Sequence, residues 1–498
     1  MKRLFTIGLM LTLAVLTASA QRYSCIRPSE RAGTRKYALP EVKSFDPQKT
    51  YRLPVILIEC SDANFSMADP VNLYNRIFNE KGYNEGAGAG CVADYLRDQS
   101  GGHLNAKFDL YGPVKVDQKA GGHGSTYYGE PILKAAVKEL SKTEKTDFSI
   151  YDWDGNGEVD QVLFVVAGYT GNQKRGYIWP NSGWVLGMAL PGGVNAEMAS
   201  VTCELWKDDK SCGIGTILHE IFHLLGLPDL YPLRNATAYS AVDEWDLMDG
   251  GNYTNYGWCP PNLSAMEKMM LGWGQPVELT TATTVTAMKS VSDGGDTYII
   301  RNPANRDEYY LLENRQLKGW DFGCPNKGLL IYHVDYDYIS WIDNNINVDD
   351  THYRYSLFHA DRKDYMAWDP KNTGDDDSRW VDEGHLHSKY LSTSVYPYTD
   401  PETLVINASL TNDSNPAATL FTANTDGLKL MSKPITNIQM AADGTISFDF
   451  MKDPTAISHV QADADDNAPW YDLQGRRLQG RPVHKGLYIH NGKKESIR

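Results

Sequence analysis

Hydrophobic and polar positions follow two different periods along the first part of the chain. Runs of branched apolar residues at 51–59 and 162–167 predict buried strands. Apolar residues at helical spacing within 91–98 and 131–140 predict helices. Because strand and helix patterns alternate over residues 50–274, this region is predicted to be one α+β or α/β domain.

Short β patterns replace the helical period from residue 275 to residue 452. Residues 298–301, 309–313 and 329–333 are predicted strands. We therefore expect a mostly-β, sandwich-like region that continues the first domain. Residues 453–498 are predicted to be a polar linker and a small C-terminal β tail.

The first twenty residues have the pattern of a signal peptide. Lys2 and Arg3 precede an apolar run over residues 4–16 and the small residues 18–20. The run is shorter than the roughly 20 residues that span a bilayer as a helix, although an uncleaved anchor stays an alternative. The protein is thus expected to be secreted or on the cell surface without a membrane span, with 21–49 as a short pro-segment or arm.

Net charge and cysteine content bear on the kinds of partner, metal site and disulfide that the chain can have. The formal net charge of -15 disfavours nucleic acid as a partner, because phosphate binding needs a surplus of Lys and Arg. The seven cysteines have no C-x-x-C spacing that would indicate a structural zinc site. Cys203 and Cys212 are the expected local disulfide pair in an exported protein.

One segment concentrates residues that bind metals. His219 and His223 are four apart, so on a helix both imidazoles point to one place and can bind Zn²⁺ together. Glu220 lies one step round the helix, where it reaches a water on the metal and not the metal. A left-handed Gly226 would end the helix and turn the chain so that Asp229 becomes the third ligand.

Three protein ligands leave zinc a fourth position for water, as in catalytic sites. We therefore interpret the chain as a zinc metalloendopeptidase that acts on protein or peptide substrates, with Glu220 as general base. Two alternatives stay open. One is a zinc amidase for non-protein or glycan-decorated substrates, and the other is an adhesin or matrix-binding protein with a vestigial zinc domain.

Several segments resemble the immune inhibitor A family of secreted bacterial zinc metallopeptidases. The similar segments are the strand near residue 55, residues 93–100, 147–157, 309–315 and 328–333, and the zinc motif. The resemblance implies the zinc ligands His219, His223 and Asp229 and the base Glu220. It also implies a zincin- or metzincin-like fold whose Met-turn is Met248, a residue that could otherwise simply fill the core.

The tyrosine that assists the transition state in many metzincins has no direct counterpart here. It lies two residues beyond the Met of the Met-turn, where this chain has Gly250. Tyr253 and Tyr256 follow shortly after and are the candidate transition-state donors.

A second candidate metal site lies before the strand at 162–167. Oxygen-bearing side chains occupy alternate positions: Asp152, Asp154, Asn156, Glu158 and Asp160. This spacing is typical of the first half of an EF-hand, but the closing position would be Leu163, which cannot bind a metal. A calcium loop outside the EF-hand class and an Asx-turn are the two interpretations, and Ca²⁺ is the second expected cofactor.

Three further features lead to expectations. The tail segments 471–476 and 486–489 resemble C-terminal sorting domains of exported proteins from Bacteroidetes-type bacteria, or form a small β unit without that role. The acidic runs 349–350 and 375–377 are solvated turns or metal-binding loops. Residues 193–205 are expected to form an exposed sheet edge to which a peptide substrate adds as a strand.

Overall fold

The computed structural model describes residues 45–452 and 469–497, apart from a few internal gaps. The gaps are residues 125–126, 172–173, 186, 207–208, 234–239, 364–390, 473–475 and 491–492. The expected signal peptide, residues 21–44 and the acidic run 375–377 therefore lie outside the described residues. No helix within the described part has the length and apolar character needed to cross a bilayer. The chain divides into two compact units at residues 451 and 452.

A five-stranded sheet forms the centre of the N-terminal half of the first unit. Its strands are β1 (Thr50–Glu59), β2 (Asn105–Lys115), β3 (Glu158–Tyr169), β4 (Asn181–Trp184) and β5 (Asn195–Leu205). Their order is β2-β1-β3-β5-β4, with β4 antiparallel to β5 and the other neighbours parallel. β1 and β3 are buried on both faces, which explains their continuous apolar runs. The two strand predictions in this region are confirmed.

Helices cover both faces of this sheet. The helices of the first unit are α1 (Pro70–Asn79), α2 (Val92–Gln99), α3 (Glu130–Thr143), α4 (Gly215–Leu224), α5 (Ala265–Met270) and α6 (Tyr338–Ile342). α2 and α3 confirm the helices predicted at 91–98 and 131–140. Apolar residues of α3 pack in one core with one face of β1 and β3. α1, α2 and α4 pack in a second core with the other face.

The chain after residue 275 is mostly β structure, arranged mainly in two further sheets. The first contains β6 (Val277–Glu278), β8 (Tyr298–Arg301), β9 (Glu308–Arg315), β10 (Gly328–Asp335) and β11 (Tyr355–Leu357), in the order β11-β10-β9-β8-β6. The second contains β7 (Thr283–Met288), β14 (Ile435–Met440) and β15 (Ile446–Phe450), and a separate pair joins β12 (Tyr398–Thr399) to β13 (Ile406–Asn407). The strand predictions at 298–301, 309–313 and 329–333 are confirmed.

Side-chain alternation along β9 connects the two halves of the first unit. Tyr309 and Leu311 point into the core that contains α4, whereas Tyr310 and Leu312 point toward β7, β14 and β15. The helical layer with α4 is therefore packed between the two five-stranded sheets. The described chain is thus a mixed α/β protein in which the β-rich region contributes to the core around α4.

Two expectations from local pattern are wrong. Cys203 and Cys212 form no disulfide, because the Cys203 thiol points into the core with α3 and donates to the carbonyl of Ile178. Residues 193–205 are not a sheet edge, because β5 pairs with β3 on one side and with β4 on the other. The sheet ends at β4 instead.

The second unit contains a small antiparallel sheet. Its strands are β16 (Trp470–Tyr471), β17 (Gly486–His490) and β18 (Lys493–Ile497), in that order. The rings of Trp470 and His490 stack with their centroids 4.2 Å apart. The tail therefore has β structure of its own at the positions where the sequence indicates short strands.

Candidate metal centre

Helix α4 holds its residues inside the protein along its whole length. All ten residues from Gly215 to Leu224 are buried. At its start, a Cβ on Gly215 would lie 1.9 Å from the carbonyl oxygen of Asn252, so only glycine allows this close approach. The helix is thereby fixed against the turn over Gly251–Gly257. The side chains that it carries start from a rigid backbone.

Three metal-binding side chains converge at the C-terminal end of α4. The Nε2 atoms of His219 and His223 lie 3.0 Å apart. Oδ1 of Asp229 lies 3.2 Å from Nε2 of His219 and 3.1 Å from Nε2 of His223. All three side chains are buried, and their ligand atoms fit around one metal ion. Two imidazole nitrogens and one carboxylate oxygen are a donor set typical of a three-ligand zinc site.

The other ring nitrogens of both histidines are fixed by backbone carbonyls. Nδ1 of His219 lies 3.0 Å from the carbonyl oxygen of Leu247, and Nδ1 of His223 lies 2.8 Å from that of Leu227. A carbonyl only accepts hydrogen bonds, so each Nδ1 carries the proton. When either imidazole is neutral, its Nε2 lone pair is therefore directed to the shared centre.

The turn after α4 carries Asp229 back to the histidines. Gly226 follows the helix with φ of 104°, a conformation that side chains rarely adopt, and its N–H donates to the carbonyl of His223. Leu230 N–H then donates to the carbonyl oxygen of Met248 at 2.9 Å. Gly226 thus has the positive φ that the sequence predicted for this position.

Opposite charges hold the three side chains together. Burial raises the pKa of Asp229, but His223 and His219 outweigh it and keep that pKa well below its usual range. Burial lowers the pKa of His223, but the Asp229 carboxylate outweighs it and raises the pKa to about 9. The carboxylate is therefore ionised at neutral pH, and a metal ion that binds Nε2 of His223 displaces a proton.

Glu220 lies beside this cluster and contacts the edge strand of the sheet. Its Oε2 accepts a hydrogen bond of 2.5 Å from the hydroxyl of Ser182 on β4. Burial raises the pKa of Glu220, whereas His219 and His223 oppose the rise. The structure therefore places a buried carboxylate that is bonded to β4 and interacts electrostatically with the histidine pair.

Met248 lies in a buried turn that contacts two parts of the cluster. The residue is fully buried, and its N–H donates to Oδ1 of Asp246 at 3.0 Å. The preceding carbonyl, of Leu247, is the partner of His219, and the carbonyl of Met248 holds the residue after Asp229. The turn thus positions ligands through its backbone, while the Met248 side chain belongs to the core around α4.

The candidate transition-state donors lie in the turn that packs on the start of α4. The rings of Tyr253 and Tyr256 lie 6.2 and 6.1 Å from Trp206. The ammonium of Lys210 lies 4.2 Å from the centroid of the Tyr256 ring. Sequence reasoning missed Tyr231, whose ring centroid lies 6.2 Å from that of His219.

Tyr231 is coupled electrostatically to the cluster. Burial first, and then the carboxylates of Asp229 and Glu220, raise its pKa well above the ordinary value. Its hydroxyl therefore keeps its proton and can donate a hydrogen bond. The sequence offered one signal for Tyr231: it lies two residues after Asp229, and a residue so near a candidate metal ligand along the chain stays close to the site.

The second candidate metal site brings together only part of the predicted set. Oxygens of Asp152, Asp154 and Asp160 lie within 4.8 Å of one another. Asn156 Oδ1 instead accepts from the backbone N–H of Glu158, which is exposed at the start of β3. This Asx-type bond is joined by those that Gly155 and Gly157 donate to Asp152.

The acidic run at 349–350 also forms a turn. Asp349 Oδ1 accepts from both the backbone N–H and the hydroxyl of Thr351, at 2.9 and 2.7 Å. This bonding pattern is the one expected for a solvated Asx-turn.

Comparison with known proteins gives distant relatives that are named as metalloproteases or as Immune inhibitor A. The chain is 24% identical over 283 residues to Immune inhibitor A of Bacillus thuringiensis subsp. alesti, covering 45% of this chain and 41% of that protein. It is 21% identical over 250 residues to the Pre-pro-metalloprotease PrtV of Vibrio cholerae serotype O1, covering 43% of this chain and 27% of that protein. The chain thus matches less than half of each relative. No family model matches it.

Proposed function

We propose that this protein is a secreted zinc-dependent endopeptidase with a metzincin-like catalytic region. The observation that carries the proposal is the buried convergence of His219, His223 and Asp229 beside Glu220. The relative named a metalloprotease points to the same class of function at family level. The donor set and its fixed tautomers fit zinc in particular.

The chain's own residues divide the work of peptide hydrolysis. His219, His223 and Asp229 hold the metal ion. Zinc, when bound, supplies Lewis-acid chemistry, which makes a water acidic near neutral pH and polarises a carbonyl. Glu220 accepts the proton of the attacking water at its carboxylate and passes it to the leaving amide nitrogen.

Substrate binding is proposed at β4, the strand that ends the first sheet. An extended peptide can pair with the main chain of an edge strand, which leaves its side chains free to enter pockets. Ser182 on this strand contacts Glu220, so a peptide paired with β4 passes next to the general base. Tyr231 is the proposed donor to the developing oxyanion, because its ring lies 6.2 Å from that of His219. Tyr253, which interacts electrostatically with Tyr231, is the second candidate.

The loop at 152–160 is proposed as a calcium site of structural role. Ca²⁺ bound by Asp152, Asp154 and Asp160 would fix the chain just before β3. We expect EGTA, which spares tightly bound zinc better than EDTA does, to lower the melting temperature. A melting temperature that does not change in EGTA would leave the Asx-turn as the whole explanation of the loop.

A vestigial zinc domain is the less favoured alternative. In a domain without catalytic function, nothing would select for a buried and hydrogen-bonded Glu220 carboxylate. Glu220 keeps a hydroxyl partner at 2.5 Å, and both histidines keep their carbonyl partners. An adhesin would need none of these contacts.

The test is cleavage of a peptide library by the purified protein, with and without a zinc chelator. We expect cleavage within peptide chains that stops when zinc is removed and returns when zinc is added. Stoichiometric zinc binding without cleavage of any peptide would favour the amidase or adhesin alternatives.

A further inference from the structure

The third metal-ligating residue, Asp229, is held by a side chain from the β-rich region, 115 residues further along the chain. Asn344 Nδ2 donates to Oδ2 of Asp229 at 2.7 Å, and Asn344 Oδ1 accepts the backbone N–H of Asp229 at 2.7 Å. Both residues are buried, with exposed fractions of 3% and 5%. One amide therefore fixes both the backbone and the carboxylate of Asp229.

The two oxygens of Asp229 have separate partners. Oδ1 faces Nε2 of both His219 and His223, whereas Oδ2 accepts the Asn344 amide. A carboxylate with one oxygen held in this way presents a single oxygen to a cation. Bidentate binding through both oxygens would compete with the bond to Asn344 for the lone pairs of Oδ2.

The loop that carries Asn344 is itself fixed at several points. Asn344 has a φ of 54°, a left-handed conformation that asparagine tolerates better than most residues. Three residues later, the Asn347 amide donates to the carbonyl oxygens of Leu230 and Tyr355, at 2.9 and 2.8 Å. Trp341 anchors the start of the loop in the core around α4. The loop is thus built to meet the chain at residues 229–230.

We propose that Asn344 is a positioning residue that sets single-oxygen coordination by Asp229 and so keeps a coordination position open for water or substrate. The proposal rests on the zinc site of the proposed function and deepens it. It also gives the β-rich region a role in the metal centre beyond packing. Partners that orient a metal ligand typically change metal affinity by about 10- to 100-fold when they are lost.

The test measures zinc affinity and coordination in the full chain. Asn344→Gly removes the amide while keeping the left-handed backbone free of strain. We expect its zinc dissociation constant, measured by chelator competition, to rise by about 10- to 100-fold. In the cobalt-substituted variant we expect weaker visible absorption, because a carboxylate freed to bind through both oxygens raises the coordination number. The circular dichroism of the zinc-free variant should match wild type.

Asn345→Ala is the matched control, because Asn345 lies in the same loop and its Oδ1 has no hydrogen-bond partner among the described residues. We expect wild-type affinity and spectrum for it. Wild-type zinc affinity in Asn344→Gly, or lower affinity with an unchanged cobalt spectrum, would overturn the proposal. If that variant does not fold, Asn344→Asp, which keeps the shape but removes the donor, is judged by the same two measurements.

The wild-type protein separates this proposal from the proposed function. Wild type that binds no zinc stoichiometrically would refute the zinc site as a whole. Wild type that binds zinc and cleaves peptides, alongside an unaffected Asn344→Gly, would refute the positioning role alone.

Discussion

In the proposed mechanism, single side chains at the candidate metal centre divide into those that hold the metal and one that moves a proton. Glu220 is one residue from His219 in sequence, yet its side chain accepts a hydrogen bond from Ser182 on β4 and interacts with the histidines electrostatically. The ligands in turn have contacts that Glu220 does not share, to Leu247, Leu227 and each other. Substitutions can therefore separate metal binding from catalysis.

Glu220→Gln should abolish most activity but leave zinc in place. The amide keeps the size of the side chain and can still contact Ser182, but it cannot accept a proton from water. We expect peptide hydrolysis to fall by about 10²- to 10⁴-fold, with zinc content near one per chain. The measurements are kcat on a library-derived peptide and metal analysis of the purified variant.

His219→Ala and Asp229→Ala serve as the contrasting variants. Each removes one of the three ligands, so zinc content and activity should fall together. Near-wild-type hydrolysis by Glu220→Gln would show that another group is the base.

At the level of elements, α4 depends on a close approach that only glycine permits. Gly215→Ala would place a methyl group against the backbone of Asn252, which cannot move aside as a side chain could. We expect a loss of about 1–3 kcal/mol in the free energy of unfolding, measured with urea, and a higher zinc dissociation constant.

Gly124→Ala is the control for that substitution. Gly124 is exposed, and no atom of the described residues lies within 4 Å of the position that a Cβ would take. Its stability should stay within about 1 kcal/mol of wild type. Equal free energies of unfolding for the two variants would mean that α4 can move away from Asn252 without loss of stability.

Helix α5 is connected to the Met248 turn by a buried pair of carboxyl groups, Glu267 and Asp246. Burial first, and then Asp246, raise the pKa of Glu267 well above its ordinary value of 4.5. Folding therefore takes up a proton at Glu267. The stability contribution of this proton is complete below about pH 4.5 and is lost as the pH rises through the folded-state pKa.

Glu267→Gln should remove this dependence, because the amide donates to Asp246 without titrating. We expect the variant to gain unfolding free energy relative to wild type as the pH rises above about 4.5, by at most about 1.4 kcal/mol per pH unit. Urea unfolding of both zinc-free proteins measures the difference. A difference that is constant with pH would indicate that Glu267 is ionised in the folded protein.

At the scale of the whole molecule, the core around α4 is shared between residues before and after 275. Ile221 and Phe222 of α4 belong to the same cluster as Tyr309, Leu311 and Leu330 of the second sheet. The change from helical to β pattern near residue 275 is therefore not a boundary between separate hydrophobic cores.

Two truncations test this organisation. A chain ending at residue 274 loses the sheet that covers α4, so we expect no cooperative thermal transition and no zinc binding. A chain ending at residue 452 keeps the first unit whole, and we expect it to retain peptidase activity and to be misplaced in the producing cell. Cooperative folding of the shorter chain would contradict the shared core. Inactivity of the longer chain in a folded state would show that peptidase activity needs residues after 452.

The sequence alone predicted what depends on neighbours along the chain. His219 and His223 meet because helical geometry brings residues four apart together, and Asp229 returns because Gly226 allows a left-handed turn. The long buried strands and amphipathic helices were likewise predicted from their periods, since these reflect which faces are buried.

Only the tertiary structure decided what depends on sheet order and on distant contacts. Ser182 reaches Glu220 across 38 residues, and Asn344 reaches Asp229 across 115. Local pattern placed the sheet edge at 193–205, but β4 pairs antiparallel with residues 198–201 of that segment. A strand's neighbours and a ligand's supporting partner are set by how elements pack, and no short-range period in the chain encodes that packing.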